Sequence, residues 1–411
     1  MDERFRHVVG ARVAADEPVD LGRPRGGRGH ILAPGTGGRE RGEKDKGNGA
    51  ATTVGTAAPN DSSAVITTPP DSTTDETTSD ETTPQDTTPL TTVSSDEPLE
   101  GEIAGAPAGA AGTRDQPVPA GEVANIGGGW RLQVLAVTPD ATAEVLAYNE
   151  FNEPPPAGST FTMVKVALGY FGKDDPASAF MPTIIAVGSA NIELPAECGS
   201  LPDSIDIFTS VFAGGVLIGN LCFVTSPADF PSLQIAAEGD FFQDRQVILA
   251  TDAPASATPM VALSGPQPGA ASTPARLDPT PIGTSQDVGD GWSVTVNSAA
   301  RDITDAVMAE NQFNDPPPAG FRFVGIDVTY SFNGEGSDSA FTVTTAAVTD
   351  SNVQLSFECG SIPNSLDEFS DVFAGGSVTG QLCFVVPEGS GPLVLYSAGG
   401  FDAETVTFAS S

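Results

Sequence analysis

Histidine is almost absent from this 411-residue chain, since His7 and His30 are its only two. Both lie near the N-terminus, so Ser-His-Asp and Cys-His nucleophilic sites are excluded from the rest of the chain. The sequence also has no GxSxG elbow, no phosphate-binding P-loop and no GxGxxG motif after a strand. Paired carboxylates are available, but 54 Asp and Glu make any chosen pair uninformative. We therefore expect no enzyme activity, and a carboxylate-based hydrolase is the least favoured interpretation.

Long apolar runs are missing as well. A membrane-spanning helix needs about 20 apolar residues, and no such run occurs, so we expect no transmembrane segment. The longest candidate, 211–224, is interrupted by Gly214, Gly215 and Gly219 and reads as a turn followed by a strand. Residues 1–50 contain no apolar core of a secretory signal.

Basic residues are scarce, with 18 Lys and Arg against 54 Asp and Glu and a net charge of −36. Residues 1–50 hold ten basic and eight acidic residues, which leaves eight basic and 46 acidic residues for the remainder. Such a surface repels nucleic acid and anionic lipid, so we expect no nucleic-acid partner. A solvated acidic surface is favoured over a specific cationic partner.

The N-terminal third has the composition of disordered chain. Residues 1–50 form a Gly/Arg-rich tail without periodicity, and 51–126 form an acidic Thr/Pro-rich stalk with thirteen acidic residues and one basic residue. Neither segment has enough apolar surface to fold, so both are predicted to be disordered. Stalks of this kind hold a domain away from a wall or membrane. A Pro/Ala/Thr-rich linker at 253–288 separates the repeats, so we expect that the two domains are not packed into one rigid body.

The rest of the chain contains an internal repeat. Aligning 130–158 with 292–320 gives 14 identities in 29 positions, and aligning 180–223 with 341–384 gives 23 in 44. Similarity at this level predicts a tandem duplication of one domain.

Alternating apolar and polar residues predict strands in both repeats, which we place at 127–252 and 289–411. Every second residue of 324–332 is apolar, and 164–170 keeps the same face, as in half-buried antiparallel strands. Further strands are predicted at 184–187, 221–224, 342–348, 352–357, 382–386, 393–396 and 404–408, and one helical turn near 304–309. Short strands separated by turn residues predict an all-β fold of two antiparallel β-sandwich domains in tandem.

Each repeat has two cysteines 24 residues apart, Cys198 with Cys222 and Cys359 with Cys383. Because both cysteines recur together, one disulfide within each repeat is favoured over buried free thiols. Such a bond stabilises the fold by roughly 3–4 kcal/mol on the loop-entropy estimate. Zinc is disfavoured, because two thiols without histidine leave the coordination sphere half empty.

A polar cluster recurs beside the proline runs. Its two amides and one carboxylate are oxygen ligands that calcium accepts, and they are equally suited to capping turns, which is favoured. The residues are Asn149, Asn152, Glu153, Asn311, Asn314 and Asp315. We assign no metal site and predict no cofactor.

Trp130 and Trp292 each open an alternating strand at an apolar position. Packing in the core is favoured over a role as a ligand platform.

Taken in order, these motifs resemble a known family. Each repeat has a Trp-led strand, N-x-F-N-x-P-P-P-A-G, E-C-G-x-x-P and F-x-G-G-x-x-x-G-x-x-C-F. This pattern is similar to secreted immunoglobulin-like domains of unknown function from Gram-positive bacteria, which are related to the immunoprotective secreted antigen of mycobacteria. The resemblance covers both repeats, about 250 of 411 residues. It implies two extracellular immunoglobulin-like sandwiches, and the family has no established activity.

Members of this family often follow a Thr/Pro linker and a lipoprotein signal, whereas no signal or lipobox cysteine is visible here. Three alternatives stay open: a start upstream of Met1, unconventional export, or a protein that stays inside the cell.

These observations predict a non-catalytic extracellular or cell-surface protein that presents two binding modules on a flexible stalk. We expect a monomer whose partner is an extracellular protein or an envelope component. The alternative is a structural spacer of the cell envelope without a specific ligand. Exposed aromatic residues on one face of both repeats would favour binding.

Overall fold

The computed structural model describes residues 98–107, 109, 112–240, 246–252, 257–400 and 403–411. The tail predicted at 1–50 and the first part of the predicted stalk, 51–97, lie outside the described residues. Within them, antiparallel sheets enclose two separate hydrophobic cores. The prediction of an all-β fold built from β-sandwiches is confirmed.

The first sandwich contains a four-stranded sheet in the order β1-β2-β3-β7, a three-stranded sheet β5-β8-β9 and the short pair β4-β6. A short helix, α1, connects β2 to β3. The elements are β1 Val123–Gly127, β2 Trp130–Thr138, α1 Thr142–Tyr148, β3 Thr160–Tyr170, β4 Ala177–Ser178, β5 Thr183–Val187, β6 Ser210–Val211, β7 Val216–Thr225, β8 Gln234–Glu238 and β9 Val247–Ala250.

The second sandwich repeats this plan after a short linker helix, α2. Strand β13 pairs with β11, β12 and β17, and β10 extends the sheet beyond β11. The opposing sheet is β15-β18-β19, and β14 pairs with β16. The elements are α2 Thr273–Leu277, β10 Ser285–Gly289, β11 Trp292–Val296, β12 Arg301–Asp302, α3 Thr304–Glu310, β13 Phe321–Phe332, β14 Ser337–Ser339, β15 Thr344–Val348, β16 Asp371–Phe373, β17 Gly376–Pro387, β18 Val394–Ala398 and β19 Val406–Ala409.

The predicted helical turn near 304–309 is α3. None of the described helices is both long and apolar enough to cross a membrane.

Period-two alternation places one face of each long strand in a core. Ile326, Val328 and Tyr330 of β13 are fully buried, whereas Asp327 and Thr329 lie on the opposite face. Burying an aliphatic side chain of this size contributes about 1.5–3 kcal/mol, so the alternation fixes which face points inward.

Both tryptophans lie in the cores. Trp130 packs on Tyr170 and Trp292 on Phe332, with ring centroids 5.0 Å apart in each pair. The tilted geometry is one that aromatic pairs favour. This is the core role that the alternation favoured.

The end of the predicted stalk differs from the expectation. Within 51–126, Ile103 is buried in a second apolar cluster on the outer face of the first sandwich, together with Leu135 and Met260. Glu102 forms a buried ion pair with Arg131. These stalk residues therefore pack against the first sandwich, because its outer face is apolar and its burial removes apolar surface from water.

The linker also differs from the prediction. Asn352 of the second sandwich donates through Nδ2 to the carbonyls of Leu263 (2.7 Å) and Gly265 (2.8 Å), and its Oδ1 accepts from Nη1 of Arg276 (2.8 Å). Composition predicted a flexible segment, but two of its backbone carbonyls accept hydrogen bonds from a buried amide. The described linker residues therefore contact both sandwiches, since Met260 lies in the apolar cluster of the first and Leu263 and Gly265 are bonded to Asn352 of the second.

The two sandwiches touch through an edge of each. The N–H of Phe212 donates to the carbonyl of Asn352 (2.8 Å), and the N–H of Gln354 donates to the carbonyl of Ser210 (2.9 Å). The strand predicted at 352–357 is therefore not a strand of a sheet; it forms isolated bridges, one of them to the other sandwich. The two repeats therefore contact each other, whereas the linker composition predicted that they are not packed into one rigid body.

Candidate functional site

An open groove of about 670 Å³ lies beside the disulfide of the second sandwich. We call it the aromatic groove. The residues of interest in its lining are Phe341, Phe357, Leu366, Glu368, Phe369 and Gln381.

Two phenylalanines at the mouth of the groove stack on each other in solvent. The rings of Phe341 and Phe369 lie 5.6 Å apart with an interplanar angle of 16°. Their side chains are 64% and 80% exposed. Exposed stacked aromatics give no core stabilisation, so another reason for their position is needed.

Local turns hold this pair in place. Ser339 Oγ accepts a hydrogen bond from the N–H of Phe341 (3.4 Å), and Asp367 Oδ1 accepts one from the N–H of Phe369 (3.3 Å). Asp367 also accepts from the hydroxyl of Ser370 (2.6 Å). Side-chain acceptors of this kind fix a turn without burying its residues, so the rings are presented rather than packed away.

The polar lining of the groove consists of acceptors. Partial burial removes water from Glu368 and raises the pKa of its carboxyl. Gln381 donates from Nε2 to Asp327 Oδ1 (3.1 Å), and among the described residues its buried Oε1 has no hydrogen-bond partner. None of the described residues that line the groove is Lys, Arg or His. The arrangement suits a ligand that has an apolar or aromatic group beside N–H donors or a positive charge.

The first sandwich presents an equivalent pair. Phe180 and Phe208 stack with centroids 6.3 Å apart and an interplanar angle of 26°, and Phe208 is 73% exposed. Ser178 Oγ accepts from the N–H of Phe180 (3.3 Å), and Asp206 Oδ1 accepts from the N–H of Phe208 (2.9 Å). The same two turns thus present the same two rings in both sandwiches.

The polar positions around the two pairs are different. Glu368 corresponds to Ile207 and Gln381 to Asn220, whose Nδ2 donates to the carbonyl of Pro202 (2.9 Å). At these two positions the second sandwich has a carboxylate and a buried amide oxygen without a partner, whereas the first has isoleucine and an asparagine. The two sites share the aromatic pair and differ in specificity-determining polar groups.

The polar clusters considered for calcium are engaged in turns. Asn314 donates from Nδ2 to the carbonyls of Val307 and Ser361, both at 2.7 Å, and accepts from the N–H of Ser361 at 2.9 Å. Asn311 Oδ1 accepts from the N–H of Phe313 (3.0 Å). Turn capping is the alternative that the sequence favoured. Among the described residues, no group of three or more His, Cys, Asp and Glu is placed to hold a metal ion.

The first sandwich has the same capping contacts. Asn152 bonds the carbonyls of Val145 and Ser200 and the N–H of Ser200, and Asn149 Oδ1 accepts from the N–H of Phe151. In the described structure, neither Glu153 nor Asp315 accepts a hydrogen bond from these amides.

The loop capped by these amides meets a glycine after each first cysteine. Gly360 has φ +72°, and a Cβ there would lie 2.4 Å from Asn314 Oδ1. Gly199 has the same relation to Asn152. Only glycine fits this left-handed position against the amide, which explains the E-C-G motif.

All four cysteines are paired within their own sandwich. Cys198 bonds Cys222 and Cys359 bonds Cys383, with S–S distances of 2.04 and 2.00 Å. This is the pairing that the sequence predicted. Each bond ties the loop before the aromatic turn to a long strand, β7 or β17.

The sequence also contains a signal for residues that the prediction missed. R-x-x-P-x-P-x-G begins at Arg114 and again at Arg276. Arg114 Nη2 donates to Asn191 Oδ1, as Arg276 donates to Asn352. The similarity between the halves thus begins upstream of the boundaries at 127 and 289.

No protein-family model matches this chain, and no curated protein matches it significantly. An uncharacterized β-sandwich protein from Clostridium difficile 630 is 12% identical; the match covers 33% of this chain and 95% of that protein, with a TM-score of 0.22. A candidate lipoprotein from Bacillus subtilis subsp. subtilis is 14% identical over 31% of this chain and 38% of that protein, with a TM-score of 0.24. The fold assignment therefore rests on the strands and cores of this chain.

Proposed function

We propose that this chain is a tandem duplication of an immunoglobulin-like module that binds ligands through its stacked phenylalanine pairs. It acts outside the cell or at the cell surface and has no catalytic activity. The observation that carries the proposal is the recurrence of one stacked phenylalanine pair, with its second ring exposed and held by the same Ser and Asp turns, in both sandwiches.

Exposed aromatic pairs are suited to binding for two physical reasons. Each ring removes a large apolar area from water when a ligand covers it, and aromatic residues dominate the binding energy of many interfaces. The capped turns at Asp206 and Asp367 already fix the backbone beside each second ring, so less conformational entropy is lost on binding.

The aromatic groove indicates the ligand chemistry. Glu368 and the free Oε1 of Gln381 are acceptors next to the Phe341–Phe369 pair. A peptide segment with an aromatic or aliphatic side chain next to Lys or Arg satisfies both features, and the net charge of −36 attracts such a segment from a distance. An extracellular protein or envelope component bearing such a segment is the proposed partner.

Location is inferred from the disulfides. Two intramolecular disulfides in one chain are typical of proteins that fold in an oxidising compartment. The Thr/Pro-rich composition of 51–97 and the family resemblance support the same location.

The non-catalytic assignment is supported by the chemistry available at the groove. Glycoside hydrolysis requires two carboxyl groups, and Glu368 is the one acidic residue among the described residues that line the groove.

Selection from a random peptide library displayed on phage tests the proposal. The immobilised full chain is the target, and a variant with Phe180, Phe208, Phe341 and Phe369 changed to Ala is the counter-target. We expect enriched peptides that combine aromatic residues with Lys or Arg and that do not bind the variant. No enrichment over the variant would favour the structural spacer.

A further inference from the structure

Two equivalent phenylalanines have opposite environments. Phe212 and Phe373 both precede Ala-Gly-Gly at the end of an edge strand. Phe212 is 2% exposed because the second sandwich covers it, whereas Phe373 is 69% exposed.

The contact that covers Phe212 is specific. Residues 210–212, the donor edge, lie antiparallel to residues 352–354, the acceptor edge, with Val211 opposite Val353. The ring of Phe212 lies 4.8 Å from the guanidinium of Arg276 and 5.2 Å from the ring of Tyr396. One sandwich therefore docks its donor edge on the acceptor edge of the next.

The second sandwich has a donor edge with the same geometry. Its residues 371–373 pair on one side with β14, where Asp338 lies opposite Val372. The N–H of Ala340 donates to the carbonyl of Ser370, and the N–H of Ala374 to the carbonyl of Gly336. Antiparallel alternation then directs the N–H of Phe373 and the carbonyl of Asp371 away from β14, as at Phe212 and Ser210.

The first sandwich has a matching acceptor edge at residues 191–193. Asn191 has φ +58° and Asn352 has φ +61°, and each accepts a hydrogen bond from its own arginine, Arg114 or Arg276. Ile192, the equivalent of Val353, is 64% exposed.

We propose that copies of this chain associate head to tail, with the donor edge of the second sandwich docked on the acceptor edge of the first sandwich of another copy. In the register of the internal contact, Val372 lies opposite Ile192 and the N–H of Phe373 meets the carbonyl of Asn191. Both surfaces are edge segments with exposed apolar side chains, which pair readily with another chain. The contact is heterologous and so extends into chains or rings.

One residue pair in this contact is unfavourable for association between copies. Ser210 faces Gln354 in the internal contact, and the N–H of Ser210 donates to Gln354 Oε1 (3.3 Å). Between copies, Asp371 faces Glu193, and like charges directly opposite each other weaken a strand pair. The contact between copies is therefore weaker than the internal one, and salt strengthens it by screening the net charge of −36.

Sedimentation velocity of the full chain, from micromolar to millimolar concentration in moderate and high salt, tests the proposal. We expect reversible association that Phe373→Ser and Ile192→Asp each weaken at least about tenfold. Phe313→Ala, at an exposed phenylalanine outside both edges and outside the aromatic groove, is the matched control and leaves association unchanged. Circular dichroism and thermal unfolding verify that each variant is folded.

Two further samples test whether association uses these two edges. The variant Asp371→Ser/Glu193→Gln recreates the Ser–Gln pair of the internal contact, so it associates more tightly than the natural chain. An equimolar mixture of Phe373→Ser and Ile192→Asp chains forms dimers and nothing larger, because each supplies one intact edge. The proposal is overturned if the natural chain and Asp371→Ser/Glu193→Gln both stay monomeric at millimolar concentration. It is equally overturned if association is unaffected by Phe373→Ser and Ile192→Asp.

Discussion

The indole Nε1 of Trp292, buried in the second core, donates a hydrogen bond to Asp338 Oδ2 at 2.9 Å. This bond holds the pKa of Asp338 below its usual range. Asp338 also accepts from the hydroxyl of Thr342 (3.0 Å) and the N–H of Ser339 (2.8 Å), on either side of Phe341. A core tryptophan and an exposed ring of the aromatic groove thus share one carboxylate.

Replacing that carboxylate should affect both the core and the groove. Asp338→Ala removes acceptors for three donors, and we expect a loss of about 1–3 kcal/mol in the free energy of unfolding. In a Trp130→Phe background, the fluorescence of Trp292 reports the unfolding and the change at the indole. Binding of a groove-selected peptide should weaken as well. Natural stability combined with natural peptide affinity would contradict this role of Asp338.

The amide of Asn352 should be important for the linker. Asn352→Ala leaves the carbonyls of Leu263 and Gly265 without their hydrogen-bond donor and places alanine at φ +61°. We therefore expect a loss of about 2–4 kcal/mol in the free energy of unfolding. Faster proteolysis of residues 257–272 measures the release of the linker.

Asn191→Ala is the matched control for this prediction, because Asn191 has nearly the same backbone conformation but is exposed. It should leave linker proteolysis unchanged. Equal cleavage rates in the natural chain and Asn352→Ala would show that the amide does not hold the linker.

The disulfides should stabilise each sandwich separately. Each closes a loop with a sequence separation of 24 residues, so Cys359→Ala/Cys383→Ala should cost about 3–4 kcal/mol in urea unfolding. The corresponding Cys198→Ala/Cys222→Ala variant is the comparison for the first sandwich. Peptide mapping without reductant verifies the remaining bond. An unfolding free energy that does not change in either variant would count against the loop-entropy account.

One carboxylate should make the first sandwich sensitive to acid. Hydrogen bonds from Ser226 and then Ser189 lower the pKa of Asp229 to about 2. Because the folded-state pKa lies below the unfolded value, the stabilisation is present above pH ~4 and is lost as pH falls towards 2. Asp229→Asn should reduce this pH dependence, because an asparagine side chain does not titrate. Parallel pH profiles for the natural chain and Asp229→Asn, measured by thermal unfolding, would contradict the prediction.

The sequence predicted those features that depend on local pattern or on paired recurrence. Alternation identified β13, because Ile326, Val328 and Tyr330 repeat every second residue, and the joint recurrence of two cysteines indicated which ones pair. Both signals lie within a few neighbouring residues or within one repeat.

Contacts between distant segments were not predictable in this way. Residues 352–357 alternate like a strand, but one of their partners lies in the other sandwich. The apolar–polar alternation within a segment does not show which distant segment it pairs with. The linker composition likewise gives no sign that Asn352 binds its carbonyls. Phe341 and Phe369 are conspicuous as identities in the aligned repeats, yet their stacking depends on loops that bring residues 28 positions apart together.

The dissociation constant of a groove-selected peptide, measured by isothermal titration calorimetry on the full chain, tests the central claim most directly. Phe341→Ala/Phe369→Ala should weaken binding at least about 30-fold, as expected for the loss of aromatic hot spots, while the urea-unfolding free energy stays unchanged. Phe313→Ala, which removes an equally exposed ring outside the pair, should have no effect. An unchanged dissociation constant in Phe341→Ala/Phe369→Ala would contradict the account.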